Sequence, residues 1–292
     1  MTTANLYKII FILIFVSVGN CLAKDQYDVI ETVNTHGHIN WSKGVVYAKA
    51  TGTTIGNHGE KAVDGSALER TESYSYVSLF DTVENIRIDS SCLVRDLIEQ
   101  NDMVREQLWT MAKGAQVAKR EYLSDGTVEA TLSFSMMGGF AQLALPENIK
   151  HVPEIKTIPN ESDRKEKPKN NPAVEASVYT GLVLDARGLK GLPAMAPKIV
   201  SESGEEIYGP AIVSREYAVQ QGMAAFETDM ISAQHNSRVM NNPIVVRGLK
   251  AQGQSPCDFV ISDADARKVL SASENLLFLK QCRVIFVLDS RE

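Results

Sequence analysis

Hydrophobic and polar positions alternate most regularly over residues 117–136. Val128, Ala130, Leu132, Phe134 and Met136 interleave with Thr127, Glu129, Thr131, Ser133 and Ser135. A period of two puts one set on a buried face and the other in water. Val117 to Tyr122 precedes this run across Ser124-Asp125-Gly126, so the segment is predicted to be a β-hairpin. Upstream, Lys43 to Ala50 carries Val45, Val46 and Tyr47, a strand signal. A Gly-rich turn follows from Gly52 to Gly59. Leu68, Tyr76, Leu79 and Val83 then recur at helical spacing and define one apolar face. Asn101 or Asp102 caps a second predicted helix bearing Val104, Leu108 and Met111, which ends near Gly114.

The second half has the same elements in another order. Gly181 to Asp185 reads as a strand with few polar breaks, and so as a central one. Lys198–Val200 and Glu206–Tyr208 form arms around Ser203-Gly204. Ser214 caps a predicted helix that uses Val219, Met223, Phe226 and Met230. Pro243–Leu249 and Asp258–Ile261 are strands. Ser262 with Asp265 resembles a capping box, with Asp in place of Glu, ahead of a helix carrying Val269, Leu270, Leu276 and Leu277. Arg283–Asp289 is a final buried strand. Strands and helices are interspersed without a regular βαβ repeat, so the expected class is α+β.

Two further stretches set the organisation. Ile9 to Val18 is apolar apart from Ser17, follows Lys8 and leads to Cys21-Leu22-Ala23. A basic start, a short apolar core and a small-residue exit are the layout of a secretory signal peptide. The block falls short of the ~20 apolar residues that a bilayer span requires. Cleavage between Ala23 and Lys24 is expected. Lipidation of Cys21 is a competing reading, but Asn20 fits the preceding position poorly. Residues 151–173 hold Pro153, Pro159, Pro168 and Pro172 in a dense charge run with few large apolar groups, the composition of a solvated linker. The expected organisation is therefore a signal peptide at 1–23, one mixed domain at 24–150, a linker at 151–173 and a second mixed domain at 174–292. No transmembrane span is expected in the mature chain, which is placed in the periplasm or at the outer membrane.

Composition narrows the classes. Of 292 residues, 44% are hydrophobic and 23% charged, enough apolar material for a sizeable core. The net charge of −6 disfavours a dedicated nucleic-acid binder. Four cysteines, Cys21, Cys92, Cys257 and Cys282, leave three after cleavage. An odd number in an exported protein implies a free thiol or an intermolecular bridge, and Cys257 and Cys282 are candidates to pair.

Candidate chemistry is sparse. His36-Gly37-His38 puts two imidazoles on one side of an extended chain, with His58 a possible third ligand, but a zinc site needs three or four ligands at suitable spacing. Ser162-Asp163-Arg164-Lys165 has Ser-x-x-Lys spacing, yet it lies in the linker, where no dry pocket can be preorganised. Gly52, Gly56 and Gly59 lack the companions of a phosphate loop. Met136 to Phe140 reads as a strand end with a bulge or a close approach. Trp41 and Tyr47 read as core. Asp185 and Arg187 follow a buried strand and share a face. They form a structural bridge, orient the next loop or line a cleft, and a buried structural pair is the expectation. No catalytic set, metal site or cofactor is expected.

Trp41-Ser42-Lys43-Gly44-Val45-Val46-Tyr47-Ala48, Arg87-Ile88-Asp89-Ser90, Lys113-Gly114-Ala115 and Tyr122 to Val128 together resemble a bacterial envelope family. That family includes flagellar assembly proteins T and P and related small outer-membrane lipoproteins. Tyr179 to Leu189, followed by Pro193-Ala194-Met195, looks like a domain that accompanies the first in exported proteins. The resemblance implies a structural or assembly protein of the cell envelope, with a flagellar basal-body ring as a candidate setting, whose partners are copies of itself or other envelope and flagellar proteins. The alternative is a periplasmic ligand-binding protein or enzyme with a cleft near Asp185, Arg187 and the gap between the domains.

Overall fold

The computed structural model describes residues 28–53, 66–124, 127–150 and 178–290. The signal segment with its Ala23–Lys24 junction, Cys21, His58, Gly56, Gly59 and the 151–173 linker with its Ser162–Lys165 motif lie outside the described residues.

The first half is a five-stranded antiparallel sheet under helices. Its strands are β1 (Ile30–Thr32), β2 (Gly37–Asn40), β3 (Val45–Thr53), β4 (Gln116–Tyr122) and β5 (Thr127–Ser135), in spatial order β1-β2-β3-β5-β4. The predicted hairpin is the β4–β5 pair. Val128, Ala130, Leu132 and Phe134 face the core, and the residues between them are partly or fully exposed. That inner face packs against α1 (Ser66–Glu84), whose Leu79 and Val83 are buried. Next come α2 (Val94–Gln100) and α3 (Asp102–Lys113). Asn101 caps α3 by accepting the Met103 amide at 3.0 Å, and the Gly114 amide closes its other end on Met111 O at 3.0 Å. Beyond β5 the chain turns at Gly138, with φ of +64°, into α4 (Gly139–Ala144). The close approach expected near Met136–Phe140 comes from Met137, whose methyl group abuts Gly44 and Gly222.

The second half is a mixed seven-stranded sheet. It contains β6 (Gly181–Asp185), β7 (Lys198–Ser201), β8 (Glu206–Tyr208), β9 (Ala225–Glu227), β10 (Pro243–Gln252), β11 (Asp258–Ile261) and β12 (Val284–Val287), ordered β8-β7-β11-β10-β6-β12-β9. β6 is central, as its apolar run implies, and pairs in parallel with both β10 and β12. β12 also pairs in parallel with β9. The class is α+β, with parallel pairing through the middle of this sheet. On its inner side lie α5 (Arg215–Gln221), α7 (Asp263–Val269) and α8 (Ser273–Lys280), and on the other side α6 (Met230–His235) covers β6 and β12.

Three expectations need correction. The helix after Ser214 stops at Gln221, because Gly222 adopts φ of +78°. Phe226 then sits on β9, and Met230 opens α6. The helix after Ser262 is two helices, broken around Leu270–Ala272. In the second one Asn275, Phe278 and Leu279 point inward, while Leu276 and Leu277 are exposed. Cys257 and Cys282 do not pair. Both are free buried thiols, as Cys92 is a free, half-buried one, and burial pushes Cys257 up to about 12 and Cys282 to about 11.

Candidate functional site

The functional geometry has two parts: a seam where the halves meet, and the carboxyl ends of the parallel strands. The seam replaces the inter-domain gap expected from the sequence, since one continuous apolar core runs from Val29 to Leu288 through both sheets. Trp41, just after β2, meets Phe226 edge-on at 5.9 Å. Phe226 contacts Phe286 at 5.7 Å, and Phe286 contacts Phe259 at 5.2 Å. Aromatic rings therefore link the first half to the centre of the second sheet, at spacings where ring pairs attract. Beside Trp41 lies a small apolar cavity of about 30 Å³, which Met137, Met195 and Ala224 also line.

Two buried arginines tie the polar groups of the seam. Arg87 forks onto Glu31 at 3.0 and 3.3 Å and also donates to Pro193 O at 2.7 Å, so its guanidinium joins first-half carboxylate to second-half backbone. Trp41 Nε1 donates to the same Glu31 at 2.8 Å. The Met195 and Ala196 amides donate to Arg87 O and Ile88 O at 2.9 and 2.7 Å, so two backbone bonds also cross the seam. On the other flank Arg215, the first residue of α5, donates to Gln142 O at 2.7 Å and Pro146 O at 2.8 Å. A buried charge is tolerated only with such partners. A third latch joins Ser90 Oγ to Asp258 Oδ2 at 2.7 Å, while Ser255 N bonds Ser90 O at 2.8 Å. Burial raises the Asp258 carboxyl above its ordinary range, against the pull of the Ser90 hydroxyl and Lys198, and its Oδ1 has no hydrogen-bond partner among the described residues.

The second part lies where β6, β9 and β12 end together. Asp185 and Arg187 form a bidentate bridge, 2.8 Å at both contacts. The expectation of a buried pair is corrected here. The Arg187 side chain is 46% exposed, and the pair closes on itself across two residues. The Arg187 hydrogen bond holds the Asp185 carboxyl below its usual range. Gly188 N donates to Asp289 at 2.7 Å, and Asp229 caps α6 through Ser232 N at 2.7 Å, so three carboxylates surround Arg187. The carboxyl ends of parallel strands are a common place for ligands.

His36 and His38 sit apart from both parts. The His38 ring, half-buried on β2, stacks on Tyr47 at 5.1 Å, and its pKa is lowered by burial. His36 is exposed in the preceding turn, beside a cavity of about 300 Å³ that His38 and Lys49 also line. Among the described residues no group of three or more His, Cys, Asp or Glu side chains is placed to hold a metal ion.

Of the sequence candidates, the structure brings together Asp185 with Arg187, and Trp41 with the seam. The roles of Arg87 and Arg215 were not visible in the sequence. The one available signal was Arg87 itself, a charge flanked by Ile86 and Ile88, both buried here.

Residues 181–290 match the protein family described as the second domain of Treponema pallidum Tp0624, which covers 110 of the 292 residues. No curated protein matches the chain. The similarity thus belongs to the second sheet and its helices.

Proposed function

We infer that the protein is an exported structural or assembly component of the bacterial cell envelope that works through its surfaces, with a flagellar basal-body ring as its candidate setting. The seam carries this reading. Trp41, Arg87 and Ser90, all within the stretches that resemble the envelope and flagellar-assembly family, converge with Met195 on the contact between the two sheets. Fusing two sheets through one core fixes the outer faces of both at a set angle, which a repeating or load-bearing part requires. The signal layout of residues 1–23 supports export, and no helix among the described residues is long and apolar enough to cross a membrane. The second-half match to a domain of Tp0624 is compatible with an add-on module.

Fractionation and in-cell cross-linking in the source organism test the reading. The expected result is a chain beginning at Lys24 in the periplasmic or outer-membrane fraction, cross-linked to itself or to basal-body proteins. A cytosolic chain that retains Met1 would overturn it.

A second reading has one observation in its favour, the polar cluster of Asp185, Arg187, Asp229 and Asp289 at the carboxyl ends of β6, β9 and β12. It describes a small-ligand site in the periplasm. Loss of function in Asp185→Ala with unchanged melting and unchanged assembly would favour it.

A further inference from the structure

We propose that the outer face of the first sheet carries a binding site for a sugar acid, a small hydroxylated ring bearing one carboxylate, built around His36, His38 and Lys49. The site lies away from the seam and is independent of the assembly reading.

Cross-strand register assembles it. His38 on β2 lies opposite Thr32 on β1 and Tyr47 on β3. Lys49 on β3 lies opposite Thr131 on β5, and its amide donates to His36 O at 2.7 Å, so His36 joins that second row. Ile39, Ala48 and Leu132 are buried in the core, and the period of two sends both rows to the side away from α1. The rows line a cavity of about 300 Å³, a size that ligand pockets reach. Its frame is fixed in advance. Asn34 Oδ1 accepts the His36 and Gly37 amides at 2.8 and 2.7 Å, and Asn34 Nδ2 donates to Asp81 of α1 at 2.7 Å. Gly37 is pressed against Thr82 of α1, with no room for a Cβ. The turn that carries His36 is therefore pinned to α1, and a preorganised site loses less freedom on binding.

The lining selects the ligand. Among the described residues no carboxylate lines this cavity, although the chain carries a net charge of −6. The side chains of Thr32, Thr131, His36, His38 and Tyr47 make no hydrogen bond among the described residues. Lys49 has only Glu129 at 3.6 Å, the longest ion pair among those residues, where the others span 2.7–3.0 Å. Its ammonium is thus open to a better-placed oxygen, in a charge-assisted hydrogen bond. A single ammonium matches a single negative charge, which favours a carboxylate. The same ammonium repels a metal ion, for which two imidazoles are too few ligands. Burial lowers the His38 pKa, so at pH 7 its ring is mostly neutral and both donates and accepts, as the threonine and tyrosine hydroxyls do. Groups of that kind suit sugar hydroxyls. The His38–Tyr47 stack, with centroids 5.1 Å apart, supplies an apolar wall for the C–H groups of the ring.

Calorimetric titration of the full chain with galacturonate, galactose, acetate and polygalacturonate tests the site. Galacturonate, free or within the polymer, is expected to bind at least about tenfold tighter than either galactose, which lacks the charge, or acetate, which lacks the ring. Whether monomer or polymer binds tighter tells a free acid from one carried in a glycan, and either result supports the site. Lys49→Gln should weaken binding at least about tenfold. Glu129→Gln, which frees the ammonium, should strengthen it, and general damage to the sheet would not produce these opposite signs. His38→Ala should also weaken binding, with unchanged melting as the check on folding. Three results overturn the assignment: no binding of galacturonate in either form, galactose or acetate binding as tightly, or binding that Lys49→Gln leaves unchanged. None of them bears on the assembly reading, which cross-linking tests separately.

Discussion

Arg87 and Arg187 make nearly the same bond in very different places. Each forks its guanidinium onto a single carboxylate, Glu31 for Arg87 and Asp185 for Arg187. The Arg87 side chain is 10% exposed, reaches a partner 56 residues away and adds a carbonyl 106 residues away. The Arg187 side chain is 46% exposed and finds its partner two residues back. The two carboxylates are equally exposed at 21%, but water reaches the Arg187 guanidinium far more than that of Arg87, and the first pair ties regions that chain entropy would otherwise separate. Bond geometry alone therefore does not rank the two; burial and sequence separation do.

The largest expected effect comes from breaking the buried side of this comparison. Arg87→Met leaves Glu31 partly buried with, among the described residues, only the Trp41 donor, and leaves Pro193 O without its guanidinium. It should cost about 3–5 kcal/mol in chemical unfolding. Arg215→Met, which strips donors from Gln142 O and Pro146 O, should cost a similar amount. A loss under ~1 kcal/mol in both would mean that the seam does not hold the halves together.

The Ser90–Asp258 latch should rank next. Ser90→Ala removes a hydrogen bond to a charged group, a loss of about 1.5–3 kcal/mol. The latch also carries a pH signature. The folded Asp258 carboxyl is raised by burial, so the stability linked to it is fully present below the ordinary Asp value of ~3.9 and is lost as pH rises through its own, higher value. Asp258→Asn has no such loss. The stability of the variant minus that of the wild type, from urea unfolding at several pH values, should become more positive from pH 4 to pH 7. A constant difference would contradict the assignment.

The smallest effect belongs to the exposed pair. Asp185→Ala or Arg187→Ala should change stability by no more than about 1 kcal/mol, the range of surface ion pairs. Because the folded Asp185 carboxyl is lowered, even that contribution is present above the ordinary Asp range and fades as pH falls through the folded value. A loss near 3 kcal/mol would move this pair into the same class as Arg87.

The same contrast explains what the sequence made legible. Local signals were readable. The β4–β5 alternation, the Asn101 cap with its stop at Gly114, and the apolar run of β6 each arise within a few residues. Where apolar spacing continued past a backbone stop, the reading overshot, as at Gly222, whose positive φ ends α5 before Met223 and Phe226. The break between α7 and α8 was missed for a related reason, since Leu276 and Leu277 extend an apolar run and yet face solvent. The candidate site was legible only as the neighbours Asp185 and Arg187. The seam was not, because parallel pairing and the bonds of Arg87, Arg215 and Ser90 depend on contacts far apart in sequence.

Native-state hydrogen exchange, resolved by segment, tests most directly the claim that the seam makes one body of the two sheets. Amides of β3 and β5 in the first sheet and of β6 and β12 in the second should open with the same free energy, and both should lose protection together in Arg87→Met. Two distinct opening free energies in the wild type, with only the first sheet responding to Arg87→Met, would contradict it.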